Sequence, residues 1–329
     1  MINNILVTGG AGYIGSHIIE QLVGKKRKII IFDNLSTGYK KLIHKECVFV
    51  KGDLTNQRLL KKIIIQNDIT SIIHLAACLN IKEAETNPKK YYKNNVLGTQ
   101  SLIKACKNSN VKNIIFSSSC SVYGSINGAV SEKKKPSPQG NYASSKFKGE
   151  EIIKKYSSKY KYRYAILRYF NVVGASKSGK IGEIATSHNH LFKNIAMASL
   201  KKKPTINVFG DNYKTIDGTC IRDYIHVSDL AEIHVKSLKK IDYLKKSLIL
   251  NCGYGKGISV LEVINKLKKI IKKKIIVNFK NKRPGDVAKV YADTKKLKIF
   301  INWRPKYNNL EFMLKSSIKW EKKINYKKI

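Results

Sequence analysis

The segment NYASSKF, residues 141–147, contains a tyrosine and a lysine whose types and spacing suit proton transfer. Tyr142 and Lys146 are separated by small residues only, so on a helix both side chains lie on one face and can contact the same ligand. A tyrosine has an ordinary pKa of about 10, and a neighbouring ammonium lowers that pKa by stabilising the phenolate. In a chain so rich in lysine and tyrosine, coincidence explains the spacing equally well, so the pair needs support from the elements around it.

A glycine-rich turn earlier in the chain predicts a dinucleotide site. The turn TGGAGYIGS follows the strand pattern ILVT and opens a helix, with glycines at positions 9, 12 and 15. Glycines allow the backbone to approach a pyrophosphate, which the helix N-terminus stabilises. Asp33 ends the second strand pattern, KIIIF, where a carboxylate binds ribose hydroxyls and disfavours a 2′-phosphate. The turn therefore predicts NAD, with Asp53 of the next strand end near the adenine.

The elements that must position these residues follow an alternating rhythm. Short β-branched runs alternate with amphipathic helical patterns up to residue 170, which predicts an α/β fold with a Rossmann-type doubly wound parallel sheet. Residues 1–170 are expected to form an NAD-binding domain and residues 171–329 a smaller, interleaved α/β substrate-binding lobe. Strands from about 215–255 are expected to join the first domain, because LILNC at 248–252 has the pattern of a buried strand. Helices are expected at about 56–66, 88–107, 141–159 and 259–272.

The formal net charge of +42 suggests a nucleic-acid partner, but the distribution of the charge does not. Lysines occur singly or in short runs, with no stripe interleaved with aromatic residues. Lysine, isoleucine, asparagine and tyrosine, all abundant here, have codons rich in A and T, so we interpret the charge as a solvated surface that reflects codon bias. We expect no specific nucleic-acid partner.

The cysteines and the hydropathy of the sequence argue against a disulfide-rich, a metal-binding or a membrane protein. The six cysteines are scattered without metal-ligand spacing, which predicts free thiols, no disulfide framework and no metal site. No apolar run approaches the roughly 18 residues of a membrane span, and the first residues enter a strand pattern with no cleavable leader. We therefore expect a cytoplasmic protein without a membrane partner.

Motifs over nearly the whole chain resemble a known family. HLAA at 74–77, YYKNNVLGT at 91–99, SSSCSVYG at 117–124 and YASSK at 142–146 resemble the extended short-chain dehydrogenase/reductase superfamily and its NAD-dependent epimerase/dehydratase family. LRYFNVVGA at 167–175, DGTCIRDYIHVSDLA at 217–231 and RPGDVAKVYAD at 283–293 are similar to the UDP-glucose 4-epimerase family within it. The motif DGTCIRDYIHV is specific to that family and its near relatives.

The resemblance implies an NAD-dependent isomerase of galactose metabolism. It would interconvert UDP-galactose and UDP-glucose at C4 of the hexose through a transient 4-keto intermediate, with hydride transfer to and from tightly bound NAD. Tyr142 would take the proton from the 4-hydroxyl, Lys146 would lower the Tyr142 pKa and hold the nicotinamide ribose, and Ser119 would align the same sugar oxygen. The resemblance also implies a homodimer, with segment 88–107 and the helix bearing Tyr142 at the interface.

The remaining site residues are assigned by the same resemblance. Arginine is scarce, seven of the 64 basic residues, and Arg222 and Arg283 fall in diphosphate-binding segments where a bidentate guanidinium is needed. The other UDP-hexose positions are Ser121, Tyr142, Asn171, His190, Leu191, Asn207, Tyr224, Val290 and Asp286. The cofactor positions are Gly9, Gly12, Tyr13, Ile14, Gly15, Asp33, Asn34, Asp53, Leu54, Leu75, Ala76, Asn95, Ser119, Tyr142, Lys146 and Phe170.

Alternatives remain open at this stage. Val290 lies where a bulky aromatic residue would exclude an N-acetyl group, so UDP-N-acetylglucosamine 4-epimerisation is one alternative, and UDP-glucuronate epimerisation is another. A 4,6-dehydratase is disfavoured because Cys120 and Ser121 stand where such enzymes carry an Asp-Glu pair. A non-catalytic NAD-binding protein with a basic interaction surface would not need Ser119, Tyr142 and Lys146 together. Taken alone, His190 is equally a surface histidine, and Arg222 equally the partner of Asp223 in a salt bridge.

Overall fold

The computed structural model describes residues 4–24, 27–184, 190–283 and 285–324 of the chain. The strands are β1 Asn4–Thr8, β2 Ile29–Asp33, β3 Val48–Lys51, β4 Ile69–His74, β5 Asn113–Ser119, β6 Gly128–Val130, β7 Arg163–Tyr169, β8 Asn171–Val173, β9 Thr205–Phe209, β10 Ile221–Arg222, β11 Tyr224–His226, β12 Leu248–Cys252, β13 Ile258–Ser259, β14 Ile276–Lys280 and β15 Lys289–Ala292. The helices are α1 Tyr13–Leu22, α2 Gln57–Gln66, α3 Ile81–Thr86, α4 Pro88–Tyr91, α5 Gly98–Ala105, α6 Gly140–Tyr160, α7 Leu191–Ser199, α8 Val227–Leu244, α9 Val260–Ile271, α10 Lys295–Ile301 and α11 Leu310–Lys323.

Seven of these strands form one parallel sheet, in the order β12-β7-β5-β4-β1-β2-β3. The β-branched runs are buried on both faces because helices cover both. One core joins α1 and α8 to the sheet, and a second joins α2, α5 and α6 to its opposite face. This is the doubly wound α/β fold that the alternating pattern predicts.

The strand order reverses between β1 and β4, which are neighbours although the chain passes through β2 and β3 between them. Ligands of doubly wound sheets bind beside the carboxyl ends of the strands at such a point. The glycine turn follows β1 and Leu75 follows β4, so the topology places the predicted dinucleotide turn at this crevice.

The second half of the chain builds smaller sheets around its own core. β13, β10, β15 and β6 form one sheet, and β9 pairs with β14. The helices α7, α9 and α11 pack on a separate apolar cluster. Strands cross between the halves in both directions: β12 completes the large sheet, and β6 from the first half pairs with β15.

The segment expected as one helix at 88–107 is divided into three parts. Between α4 and α5, residues Tyr92–Leu97 form a π-helical turn, which hydrophobic periodicity cannot distinguish from an α-helix. The widened turn places the Asn95 side chain against the loop after β4 and against α6, where it donates to the Cys78 carbonyl and to Ser145 Oγ. The helix expected at about 88–107 is thus present from Pro88 to Ala105, and its winding differs from a regular α-helix at the point where a polar side chain enters the site.

In the described residues no helix is long and apolar enough to cross a bilayer. The six cysteines, all within the described ranges, are free thiols.

Candidate active site

The glycine turn after β1 leaves no room for side chains. At Gly9, with φ of +73°, a Cβ atom would lie 2.6 Å from the Ala76 nitrogen, and at Gly15 it would lie 2.5 Å from the Gly9 oxygen. The backbone of the loop after β4 is held just as closely, since Leu75 and Ala76 donate their N–H groups to the Thr8 carbonyl. The turn and the start of α1 therefore form the bare-backbone cradle that a pyrophosphate requires.

Asp33 faces this cradle from the end of β2. Its carboxylate accepts hydrogen bonds from the backbone N–H groups of Ala11 at 3.1 Å and Leu35 at 2.8 Å. Burial raises the pKa of Asp33, and these two hydrogen bonds oppose the increase. A Cβ at Gly38 would lie 2.8 Å from the carboxylate, so the chain keeps this side of the acid clear of side chains.

Asn34 and Asp53 meet beside Asp33. The Asn34 amide donates to Asp53 Oδ2 at 2.9 Å, and Thr55 donates both its N–H and its hydroxyl to Asp53 Oδ1. Burial raises the pKa of Asp53, but the bonds from Thr55 and Asn34 outweigh burial and leave the pKa below its ordinary value. This charged end of β3 stands next to the cradle, where the sequence predicts the adenine.

The apolar residues predicted for the cofactor are packed into the walls of the crevice. Ile14 and Leu75 pack on the core beneath α1, and Leu54 is buried in the core on the other face. Phe170 is buried in a small cluster with Tyr123 and other residues.

Tyr13, at the first position of α1, reaches the second half of the chain. Its hydroxyl donates to the Gly174 carbonyl at 2.5 Å, and burial raises its pKa. In this structure Tyr13 joins the two halves of the protein.

Ser119, Tyr142 and Lys146 lie together where β5 ends and α6 begins. Tyr142 is hydrogen-bonded to Ser119, and Ser121 donates its hydroxyl to Ser119 Oγ at 3.0 Å. Lys146 is 3% exposed, and its ammonium lies 5.0 Å from the centre of the Phe116 ring. The structure therefore brings together the serine, tyrosine and lysine that the sequence assigns to catalysis.

The protein environment shifts the pKa values of Tyr142 and Lys146 in opposite directions. Burial raises the pKa of Tyr142 to about 12, the hydrogen bond from Ser119 opposes this increase, and the charge of Cys120 adds to it. Burial lowers the pKa of Lys146 to about 8, and Glu150 opposes that fall. In the protein alone Ser119 is the neighbour that lowers the Tyr142 pKa, and the expectation that Lys146 lowers it in the cofactor-bound site stays a prediction.

Asn95 connects the catalytic helix to the cradle. Its side-chain nitrogen donates to Ser145 Oγ at 2.9 Å, and its side-chain oxygen accepts the Cys78 N–H at 2.8 Å. Ser145 in turn donates to the Tyr142 carbonyl. Asn95 therefore ties the loop after β4 to the helix that carries Tyr142.

Arg222 and Asp286 form an ion pair in the second half of the chain. Nη2 of Arg222 lies 3.2 Å from Asp286 Oδ1, and Nη1 donates to the carbonyls of Ile221 and Val287. The alternative partner Asp223 instead accepts backbone N–H groups of Tyr254, Gly255 and Ala292. The salt bridge between Arg222 and Asp223 considered from the sequence is therefore wrong, and Arg222 is held by another partner.

The backbone of Arg283 is hydrogen-bonded to Asp286 of this pair, and its guanidinium stacks on an aromatic ring. Its carbonyl accepts the Asp286 N–H at 3.2 Å, and its guanidinium carbon is 4.0 Å from the centre of the Phe209 ring. Among the described residues, the buried Nε of Arg283 has no hydrogen-bond partner. An orphaned guanidinium N–H beside an ion-paired Arg222 suits an anionic ligand.

Three more substrate positions lie around these arginines. Asn171 and Tyr224 are paired across β8 and β11, and the Asn171 N–H donates to the Asp223 carbonyl. Val290 is paired with Arg222 across β10 and β15, and with Gly128 on its other side. Asn171 and Tyr224 belong to the two-stranded sheet of β8 and β11, whereas Val290 and Arg222 lie on neighbouring strands of the four-stranded sheet.

His190, Leu191 and Asn207 are placed differently. The His190 ring is bound to Glu183 at 2.6 Å, and this bond raises its pKa while burial opposes the increase. Leu191 opens α7, and the Asn207 side chain is exposed on β9. The structure thus places His190 in a surface ion pair, as the simpler interpretation of a lone histidine predicts.

Two buried residues beside Lys146 were not predicted, namely Glu150 and Arg168, which form an ion pair. Glu150 lies four residues beyond Lys146, so the same helical spacing that links Tyr142 to Lys146 could have identified it. In the described part of the chain, no cluster of histidine, cysteine or acidic side chains could hold a metal ion.

Comparison with known proteins agrees with this geometry. The NAD dependent epimerase/dehydratase family matches residues 5–253. The UDP-glucose 4-epimerase of Azospirillum brasilense is 35% identical over 97% of this chain and 92% of its own length. The crystal structure of UDP-glucose 4-epimerase from Brucella ovis in complex with NAD is 36% identical, with a TM-score of 0.91 over 96% of this chain and 97% of that one. The UDP-Glc/GlcNAc 4-epimerase of Campylobacter jejuni is 37% identical, with a TM-score of 0.84 over 98% of this chain and 100% of that one. The chain therefore belongs to the NAD dependent epimerase/dehydratase family.

Proposed function

We propose that the protein catalyses the reversible epimerisation of UDP-galactose and UDP-glucose at C4 of the hexose, with NAD held tightly as its cofactor. The observation that carries this proposal is the meeting of Ser119, Tyr142 and Lys146 beside the glycine cradle. The relatives named above, matched along nearly their whole length, support the same reaction.

The residues of the crevice fit NAD. The cradle of Gly9 and Gly15 would hold the pyrophosphate, Asp33 would accept hydrogen bonds from the adenosine ribose, and Lys146 would hold the second ribose. When bound, NAD supplies the acceptor and donor of hydride, and its oxidised ring carries a positive charge.

Tyr142 is the group that moves the proton. As phenolate it accepts the proton of the sugar 4-hydroxyl, and as phenol it returns a proton to the oxygen of the 4-keto sugar. Because burial holds the Tyr142 pKa at about 12, the phenolate needs every favourable neighbour. Ser119 provides a hydrogen bond, and Lys146 provides a charge while it remains protonated.

Inversion at C4 requires the sugar to present both faces while the nucleotide stays in place. Arg222 is already oriented by two carbonyl groups and Asp286, so it can bind phosphate oxygens with little loss of side-chain freedom. Arg283 keeps one buried N–H without a partner among the described residues. A firm hold on the diphosphate and a loose hold on the hexose would allow the keto sugar to turn over.

The test is turnover combined with spectroscopy of the purified protein. We expect conversion of UDP-galactose to UDP-glucose without added cofactor, and the absorbance of reduced nicotinamide when UDP-sugar is added. Replacing Tyr142 by Phe removes the proton acceptor and should lower kcat by roughly two to four orders of magnitude. Parental turnover in the Tyr142→Phe variant would overturn this mechanism, and a freely exchanging cofactor would point to an ordinary reductase.

We further propose that UDP-N-acetylhexosamines are substrates. Val290 is paired with Gly128 and Arg222, so a small side chain lies on the strand next to the one that carries the proposed phosphate-binding arginine. A relative that acts on both UDP-Glc and UDP-GlcNAc supports this second activity. Val290→Tyr should remove turnover of UDP-N-acetylglucosamine and retain that of UDP-galactose; absence of N-acetylated turnover in the parent would contradict the proposal.

We also propose the location, the assembly and the metabolic role of the protein: it is a cytoplasmic homodimer that serves galactose metabolism. Free thiols suit a reducing compartment. The π-helical turn exposes Tyr92 (48%) and Leu97 (39%) on the segment expected at the dimer interface. Light scattering of the parent and of a Tyr92→Lys, Leu97→Lys double variant would test the dimer, and only the parent should have the dimer mass.

A further inference from the structure

A buried carboxylate lies one helical turn beyond the catalytic lysine and takes no part in the chemistry proposed above. Glu150 has no solvent exposure, and with Tyr142 and Lys146 it follows one face of α6. A buried carboxylate is costly unless its oxygens are bound by donors. Its partners therefore show what keeps it there.

Both oxygens of Glu150 are occupied. Arg168 donates from Nε to Oε1 at 2.8 Å and from Nη2 to Oε2 at 2.6 Å, and Ser118 donates its hydroxyl to Oε1 at 2.6 Å. Two parallel bonds from a guanidinium set the plane of a carboxylate as well as its position. Ser118 directly precedes Ser119 on β5, so the carboxylate is held to the strand that carries the catalytic serine.

Arg168 is held on its other side. It is 2% exposed, and its guanidinium carbon lies 4.6 Å from the centre of the Tyr123 ring. The Tyr123 hydroxyl donates to Asn251 at 2.7 Å, and Asn251 donates to the Val130 carbonyl. The ion pair is thus braced by β5, β7, β12 and the turn after Ser119.

The negative charge of Glu150 stabilises the Lys146 ammonium electrostatically, although the two side chains do not form an ion pair. Among the described residues, no carboxylate oxygen lies within 4.0 Å of the Lys146 ammonium. The Glu150 oxygens are bound by Arg168 and Ser118, and the Lys154 ammonium lies 3.6 Å from Oε2, so the ion-pair partners of this carboxylate among the described residues are Arg168 and Lys154. The Lys146 ammonium therefore remains available for other contacts.

We propose that Glu150 and Arg168 are positioning residues for the epimerase reaction: Arg168 holds the Glu150 carboxylate where it keeps Lys146 protonated without binding it. This inference rests on the proposed function, because it assigns the pair to the state of Lys146 in that site. Neither residue touches the sugar or the cofactor in this mechanism.

The electrostatics around Lys146 support the proposal. Burial lowers the pKa of Lys146 to about 8, and Glu150 is the group that opposes this fall. The ionisable side chains around Lys146, Glu150 and Arg168 are Tyr142 and Lys154 on α6, His74 on β4, Cys120 and Tyr123 on the turn after β5, and Tyr164 on β7. Burial and the charge of Lys146 lower the pKa of His74 to about 3, so this ring is neutral near pH 7 and cannot replace the carboxylate. Without Glu150, Lys146 would lose its proton at a lower pH.

The test compares the parent with Glu150→Gln, which retains the shape of the side chain and removes its charge. The limb of the kcat profile that Lys146 sets is the pH at which kcat stops rising, because the Tyr142 pKa is higher. This limb should move to lower pH by at least about one unit, a tenfold change in the proton affinity of Lys146. At pH 6, where Lys146 is still protonated, kcat should stay within about tenfold of the parent. Glu150→Asp, which restores the charge, should return the limb towards its parental position.

A second readout does not depend on turnover. In protein with ¹³C-labelled lysine, Lys146 should be the lysine that titrates near pH 8, because exposed lysines titrate near pH 10. Lys146→Met should remove this resonance, and Glu150→Gln should shift its midpoint to lower pH. If the parent titrates in this way but lacks epimerase activity, the proposed function fails while the role of Glu150 stands.

Two further variants separate positioning from folding. Glu150→Gln leaves Arg168 without a charged partner and could fail to fold, whereas Glu150→Gln with Arg168→Met removes both buried charges. The double variant should fold and show the same shifted limb. Asp229→Asn neutralises a buried carboxylate on α8 and should lower stability without moving the limb. A parental limb in both Glu150 variants, or an equal shift in Asp229→Asn, would overturn the proposal.

Discussion

At the catalytic tyrosine, burial and hydrogen bonding act in opposite directions on one proton. Burial raises the pKa of Tyr142 to about 12, and Ser119 provides the hydrogen bond that opposes it. In the proposed reaction, this serine would therefore set the fraction of Tyr142 that is ionised and able to act as the base.

Replacing Ser119 by Ala should lower kcat throughout the pH range below the Tyr142 pKa. The variant loses the hydrogen bond that favours the phenolate, so the Tyr142 pKa rises and less base is present at each pH below it. We expect kcat at pH 7 to fall by about 10- to 100-fold, measured across a pH series with saturating UDP-galactose. Ser125→Ala, which removes an exposed hydroxyl bonded to Gln139, is the control; a parental kcat in Ser119→Ala would contradict this assignment.

The proximity of Ser119, Tyr142 and Lys146 was predictable from spacing and order, but their proton affinities were not. Tyr142 and Lys146 stand four apart, which is enough to place them on one helical face. Their pKa values depend on burial, which arises only when α6 packs on β5 and β7. Glu150 follows the same spacing, yet its partner Arg168 comes from another strand, so the ion pair exists only in the folded sheet.

At the scale of elements, the patterns predicted the strands of the large sheet and the helices α2, α6 and α9. The runs KIIIF and LILNC correspond to β2 and β12 because β-branched residues buried on both faces leave a continuous apolar signal. The π-helical turn at Tyr92–Leu97 leaves no such signal, since one extra residue per turn changes which side chains face inward without changing composition. Its role in placing Asn95 is visible only from the contacts with Cys78 and Ser145.

The junction of the glycine turn and α1 should tolerate no side chain at Gly15. An added Cβ would lie 2.5 Å from the Gly9 oxygen and 2.7 Å from the Gly10 Cα, so backbone must shift. We expect Gly15→Ala to cost about 1–3 kcal/mol of stability and to weaken NAD retention at least about tenfold. Thermal unfolding and the cofactor content after gel filtration measure the two effects.

Gly24→Ala provides the matched comparison. Gly24 has φ of +74° but has nothing within 4 Å of an added Cβ, so substitution adds backbone strain of about 1–2 kcal/mol without a clash. That variant should lose stability and retain NAD. Equal loss of NAD in both variants would show that general destabilisation, not the shape of the cradle, explains the effect of Gly15→Ala.

Over the whole molecule, buried histidines should make folding sensitive to acid. Burial lowers the pKa of His17 and His234 to about 4 and of His74 and His226 to about 3, below the ordinary value of 6.5. Below pH 6.5 these histidines bind protons in the unfolded chain but remain neutral in the folded chain. The free energy of unfolding therefore falls as the pH falls. Up to four protons give a slope of up to about 5 kcal/mol per pH unit.

This slope should be visible between pH 6.5 and pH 5. Below that window, Asp33, Asp223 and Asp229, whose pKa values burial raises, bind protons in the folded state and oppose the loss. Urea unfolding at a series of pH values measures the slope, and His17→Asn should reduce it by about one proton. A free energy of unfolding that stays constant from pH 7 to pH 5 would contradict the burial of these rings.

The lysines are scattered along the sequence, but the fold brings two lysine triplets close together. β9 and β14 pair in parallel, and each is preceded by a lysine triplet, at 201–203 and 272–274. The Lys273 ammonium donates to the carbonyls of Ser199 and Lys201, which confirms that the triplets lie side by side, with all six side chains exposed. Neighbouring like charges on a chain of net charge +42 oppose the compact state.

Salt should therefore stabilise this protein. At 0.01 M ionic strength the Debye length is about 30 Å, and near 0.15 M it is about 8 Å, so salt screens the repulsion between the triplets. Lys202→Glu with Lys274→Glu should raise the thermal midpoint at low salt and reduce its dependence on NaCl. Lys107→Glu with Lys256→Glu makes the same change in net charge at exposed lysines outside the triplets and should have a smaller effect. If both double variants raise the midpoint equally, net charge alone explains the repulsion, whereas a larger effect at the triplets shows that strand pairing concentrates it.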